Sequence, residues 1–149
     1  MENKLFLCLG WILQNSLNMK NIAILAHDKL KPRMVQFLEN HRDWIPGVKL
    51  IATGRTAEFV EKNGVEVEHM SQGRYGGYKQ IIEKIENKDV DIVIFLRDPE
   101  VSDHHEDIKQ LMFTCNNCNI PFATNPASAE LLILGLIKLE ASKKYQKKN

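Results

Sequence analysis

Five short apolar or β-branched runs punctuate the chain from Lys20 onward. They are Asn21 to Ala26 (NIAILA), Val48 to Ala52 (VKLIA), Val65 to His69 (VEVEH), Asp91 to Leu96 (DIVIFL) and Ile120 to Thr124 (IPFAT). The first and fourth are almost wholly apolar, as strands covered on both faces must be, whereas the third alternates and predicts an edge strand. Between the runs the apolar period changes. Leu30, Met34, Phe37 and Leu38 recur at i, i+4, i+7 and i+8, which sets one stripe of a helix against a sheet. Pro32 falls in that helix's first turn, where a missing N–H is harmless. Ile81, Ile82 and Ile85 repeat the device, as do Ile108, Leu111, Met112 and Cys115, and a last helix is expected from near Pro126 to past Leu139. Strands alternating with helices make βαβ units, so the pattern predicts one α/β domain with a parallel sheet.

Length and composition agree with that reading. A chain of 149 residues needs only one core. With 44% hydrophobic and 26% charged residues and a formal net charge of +1, it lacks the imbalance of a disordered chain and gives no reason to expect nucleic acid as a partner. Lys143, Lys144, Lys147 and Lys148 read as a solvated helix end. The apolar stretch from Leu5 to Leu13 is too short to span a bilayer and lacks the flanks of a signal peptide, so no membrane association is expected. Met19 directly precedes the first run, which marks residues 1–18 as an N-terminal extension to a domain over 19–149. Three cysteines, Cys8, Cys115 and Cys118, are too few and too odd in number for a disulfide framework, and a reducing cytoplasm fits them.

In an open parallel sheet, ligands bind in the crevice outside the carboxyl ends of the strands, so the informative residues follow each run. His27 and Asp28 follow the first, with Lys31 nearby. Thr53, Gly54, Arg55 and Thr56 follow the second and offer hydroxyls and N–H groups at a helix start, a setting that favours an anion, although Thr-Gly is also a common cap and turn. After the third run, three glycines within five positions of Ser71 to Lys79 suit either a phosphate nest or a simple connection; neither a P-loop nor a dinucleotide fingerprint is present. The loop after the fourth run carries Asp98, Asp103, His104, His105, Glu106 and Asp107. A histidine among carboxylates suits general acid/base work, while acidic residues at a helix start also serve as caps. The adjacent pair His104-His105 lacks the i, i+4 spacing of a helical zinc motif, so no metal is expected. Cys115-Asn-Asn-Cys118 has no second pair and precedes a strand, which favours core packing plus a turn over a redox motif.

Taken in order, Ala26-His27-Asp28, Ala52-Thr53-Gly54, the Gly76-Gly77 loop, Asp98-Pro99, His105-Glu106-Asp107 and Ile120-Pro-Phe-Ala-Thr-Asn125 resemble the methylglyoxal synthase family over Met19 to about Leu139. The resemblance implies a flavodoxin-like doubly wound five-stranded parallel sheet, a homohexamer, and conversion of dihydroxyacetone phosphate to methylglyoxal and phosphate, a glycolytic bypass that uses no metal or organic cofactor. Residue by residue, it implies that His27, Asp28 and Lys31 contact substrate and that Thr53 to Thr56 and Gln72 to Gly73 bind its phosphate. It makes Asp98 and Asp107 acidic active-site residues. His105 matches the histidine that hydrogen-bonds the substrate oxygens, with His104 the competing choice of register.

Three positions depart from the family pattern. The aspartate that follows Gly-Gly in the family, its catalytic base, is Tyr78 here, and a phenol with a pKa of about 10 is a poor substitute for a carboxylate. Arg55 stands where threonine is usual, and Gln72 and Arg74 where serine and proline are usual. The pocket thereby gains cationic character and loses a base. Two readings follow. In one, the chain is a lyase whose base has moved to Asp107, Glu106 or Asp28. In the other, it is a catalytically weak or inactive regulatory module that binds a phosphorylated metabolite or nucleotide.

Overall fold

Strands β1 (Asn21–Ala26), β2 (Lys49–Ala52), β3 (Glu68–His69), β4 (Ile92–Leu96) and β5 (Phe122–Ala123) pair wholly in parallel in the order β3-β2-β1-β4-β5. In this computed structural model the described residues are 21–102 and 105–148, side chains from 143 onward excepted. The expected extension over 1–18, the side chains of the terminal lysines, and His104 lie outside them. The helices are α1 (Lys31–Asn40), α2 (Gly54–Lys62), α3 (Gly77–Glu86), α4 (Glu106–Asn117) and α5 (Pro126–Lys148). The expected α/β doubly wound sheet of five strands is therefore present, with the order reversing between β1 and β4.

The period-two pleat of the central strands splits the core into two layers. Ile22, Ile24, Ala26, Ile92, Ile94 and Leu96 face one side, where Met34, Phe37 and Leu38 of α1, Ala57 and Val60 of α2, and Ala129 and Ile133 of α5 cover them. Ala23, Leu25, Val93 and Phe95 face the other, under Ile81, Ile82 and Ile85 of α3 and Ile108, Leu111 and Cys115 of α4. Both faces of the sheet are thus sealed, which is why NIAILA and DIVIFL carry so little polarity. Asn125 caps α5, its side chain accepting the Ser128 N–H at 2.9 Å. Among the described residues no helix is long and apolar enough to cross a membrane.

Two expectations shift in detail. The third run is an edge strand, but only Glu68 and His69 join the ladder, opposite Ile51 and Ala52. Val65 and Val67 pack against the core instead, after a turn in which Gly64 adopts φ +85°. Lys49, 3.0 Å from Glu68, and Lys84, 3.6 Å away, clamp the short strand and hold the Glu68 carboxyl below its usual range. A groove of about 900 Å³ opens at the amino ends of the strands, between Val48–Leu50 and Asn63–Glu68. Met112, expected in the buried stripe of α4, lies at its margin and is 36% exposed, while Thr114 is buried beside Cys115.

Ile94 is fully buried with β1 and β5 on either side. Ile94→Ala is expected to cost about 2–5 kcal/mol, read as a lower denaturant midpoint with unchanged slope.

Candidate active site

The reversal of strand order brings the carboxyl ends of β1 and β4 side by side, the place where open parallel sheets bind their ligands. His27 continues β1, its N–H donating to the Leu96 carbonyl at 3.1 Å. Its Nδ1 accepts the Asp98 N–H at 2.8 Å, which leaves the ring proton of the neutral form on Nε2. The ring stands edge-on to Phe95, centroids 5.2 Å apart. Tyr78, buried at the start of α3, stacks on the same Phe95 at 6.1 Å and 19°, and the His105 ring lies 6.0 Å from Tyr78. Arg97 places its guanidinium 5.9 Å from the Phe95 ring centre.

A cationic group lies beside this aromatic set. Lys31 is 8% exposed, and its Nζ donates to the Ala26 carbonyl at 3.0 Å and to Asp28 Oδ1 at 2.6 Å. Arg55 Nη1 approaches Asp28 Oδ2 at 3.6 Å. The hydrogen bond and charge of Lys31, with smaller help from Arg55 and His27, hold the Asp28 carboxyl below its ordinary range. A depressed pKa keeps this pairing intact at neutral pH and releases it only as pH falls through the lowered value.

The two expected phosphate loops pack on each other. The Gly54 N–H donates to the Ser71 carbonyl at 3.0 Å, and a Cβ on Gly54 would meet Gln72 at 3.2 Å. Thr53 is buried at the start of α2. The Thr56 hydroxyl bonds the backbone of Ala26 at 3.3 and 3.4 Å, pinning α2 to the end of β1. In the glycine-rich loop, the Tyr75 and Gly77 N–H groups both donate to the Gln72 carbonyl. A Cβ on Gly77 would lie 2.2 Å from the Ser71 carbonyl, and one on Gly73 2.5 Å from the Tyr78 ring. Those two glycines therefore let the loop close on itself and on Tyr78.

After β4, Asp98 is buried and accepts the Glu100 N–H at 3.0 Å. His105 caps α4, its Nδ1 accepting the Asp107 N–H at 3.2 Å, with the Asp107 carboxylate 3.8 Å from the same nitrogen. As with His27, the proton of the neutral ring is left to Nε2. Glu106 points outward, 85% exposed, toward Lys109 at 3.6 Å. Contacts thus link His27, Asp98, Tyr78, His105 and Asp107 around Phe95, and Asp28, Lys31 and Arg55 beside them. Gln72 and Gly73 reach the site as packing partners of Gly54 and Tyr78. The 900 Å³ groove lies at the opposite end of the sheet.

Phe95 escapes the sequence reading, although the lone aromatic in the aliphatic run DIVIFL is its signal. Among the described residues no three His, Cys, Asp or Glu side chains group as metal ligands. Cys115 is buried in the core, where desolvation pushes its thiol up to about 12, and Cys118 ends α4 exposed.

Two outcomes are expected. Gly73→Ala should destabilise by about 1–3 kcal/mol, because the stacked Tyr78 ring has no room to yield, and should cost far less in a Tyr78→Ala background. In the folded protein iodoacetamide at pH 8 should label Cys118 and spare Cys115 until denaturant is added, as peptide mass mapping would show.

Comparisons with known proteins give the family. The model of the MGS-like domain family matches residues 33–124. A methylglyoxal synthase of Caldicellulosiruptor saccharolyticus is 45% identical over 118 residues, covering 78% of this chain and 84% of that one. One of Bacillus subtilis is 42% identical over 114 residues, covering 75% and 83%. A crystal structure of methylglyoxal synthase from Elizabethkingia anophelis superposes with a TM-score of 0.71 at 36% identity, covering 76% of each chain. With its fold, the family model and these relatives in accord, the chain belongs to the methylglyoxal synthase-like domain family.

Proposed function

We propose that the protein is a methylglyoxal synthase-type carbon–oxygen lyase, eliminating phosphate from dihydroxyacetone phosphate to give methylglyoxal. The observation that carries this reading is the juxtaposition around His27 of a buried, anion-seeking Lys31 and the capped His105–Asp107 pair linked through Tyr78 and Phe95. The reaction needs three things: a base for the proton beside the carbonyl, N–H donors for the enediolate oxygen, and cations for the departing phosphate.

Each need finds a candidate. Asp28 is occupied by Lys31, and Glu106 faces solvent, so Asp107, with its side chain 19% exposed beside His105, is the base. It takes a proton from the hydroxymethyl carbon next to the carbonyl. His27 and His105, each with Nδ1 engaged by a backbone amide, offer Nε2–H to the enediolate oxygens. Lys31 and Arg55, with the loops of Thr53, Gly54, Thr56, Gln72 and Gly73 around them, receive the phosphate as its C–O bond breaks and the electron pair leaves with it. The enol that remains rearranges to methylglyoxal. Asp98 positions His27, and Tyr78 walls the site. No metal or organic cofactor enters this scheme, and the partner is a small phosphorylated metabolite rather than nucleic acid or membrane. The setting is a cytoplasmic bypass of glycolysis. The assembly is a homohexamer, for which Phe113, Leu131 and Leu134, 62%, 73% and 52% exposed, supply apolar surface.

The assay is release of methylglyoxal and phosphate from dihydroxyacetone phosphate in equal amounts. Asp107→Asn should lower kcat by about two to four orders of magnitude with the fold intact. An inactive wild type alongside an active Tyr78→Asp variant would overturn the displaced base and leave the regulatory reading.

A further inference from the structure

The anion site already holds an anion of its own. Asp28 bridges two cations with separate oxygens, Oδ1 on Lys31 at 2.6 Å and Oδ2 toward Arg55 at 3.6 Å, as two oxygens of a phosphate would. The three groups differ in freedom. The Lys31 side chain is 10% exposed and tied to the Ala26 carbonyl, whereas those of Asp28 and Arg55 are 74% and 66% exposed. A buried ammonium left without a counter-ion is strongly unfavourable, so Lys31 requires an anion beside it at all times. An exposed carboxylate moves into water at little cost. A lysine ammonium has three donors, of which Ala26 and Asp28 take two.

Building on the proposed phosphate site, we infer that Asp28 is a displaceable resident anion and that Arg55 sets the preference for a dianion over a monoanion. With Asp28 in place, one carboxylate faces two cations and a surplus positive charge remains. A phosphomonoester, carrying about −1.5 to −2 at neutral pH, satisfies both cations where a single carboxylate does not. Binding is then an exchange. The phosphate takes over Lys31 and Arg55, and Asp28 swings out to solvent. Asp28 lowers the affinity of the empty site while keeping Lys31 paired, and Arg55, absent from the usual family pattern, restores the driving force.

The test measures inorganic phosphate binding by calorimetry and thermal shift, in the full-length protein, at fixed ionic strength. Asp28→Asn should melt below wild type without phosphate, bind phosphate about 5-fold more tightly, and gain more melting temperature from saturating phosphate than wild type does. Arg55→Thr changes an exposed side chain and should fold normally. It should bind phosphate about 5-fold more weakly, with a shallower salt dependence and unchanged affinity for acetate. Wild-type binding with unchanged or weaker affinity in Asp28→Asn would overturn the exchange. Unchanged affinity in Arg55→Thr would overturn its role, and this arm decides if Asp28→Asn fails to fold. If wild type and both variants ignore millimolar phosphate, the phosphate site itself is lost, a result distinct from either failure.

Discussion

One aromatic ring in the middle of the sheet organises the site. Phe95 is fully buried near the end of β4, opposite Leu25 of β1 in the ladder, and the rings of His27 and Tyr78 both settle against it. Aromatic contacts fix separation as well as angle, so a rigid strand sets the geometry of side chains that arrive from two different loops. His105 joins through Tyr78, and Asp107 through the cap that His105 makes. A helix cap, a strand end and a glycine-rich turn are thereby brought to a common reference.

Backbone amides then decide what the histidines offer. Both His27 and His105 spend Nδ1 as an acceptor of a neighbouring N–H, at 2.8 and 3.2 Å. A neutral ring whose lone pair is used inside the protein is a donor rather than a proton acceptor, which suits stabilising negative charge on oxygen. Under the proposed function the proton acceptor is the Asp107 carboxylate beside His105. The same economy appears on the cationic side, where Lys31 is buried yet never unpaired.

Much of this was legible in the residues. Unbroken apolar runs in NIAILA and DIVIFL announce strands covered on both faces, and the stripes at Met34, Phe37 and Leu38 and at Ile81, Ile82 and Ile85 announce their covers. The third strand was less legible. Alternation in VEVEH promises five paired residues, but the turn at Gly64 leaves two in register, a matter of backbone direction that side-chain periodicity does not encode. In the site, residue type pointed to His27, Lys31, Asp107 and the strand-end loops, because charge and titration are written in the side chain. The role of Phe95 was hidden, since an aromatic in a central strand reads as core until its neighbours are known. The glycines of the loop are ambiguous in a different way. Gly73 and Gly77 make room for the Tyr78 ring and the Ser71 carbonyl, a steric demand that sequence alone does not separate from a cradle for a ligand.

The fit of Gly73 under the ring of Tyr78 couples the two positions. Position 73 tolerates no side chain while the ring is there, and position 78 leaves a hole beside a bare glycine if the ring is lost. The two sites are therefore coupled: a residue larger than glycine at position 73 is admitted only once the ring is gone. Volume alone ties a turn residue to the helix that follows it.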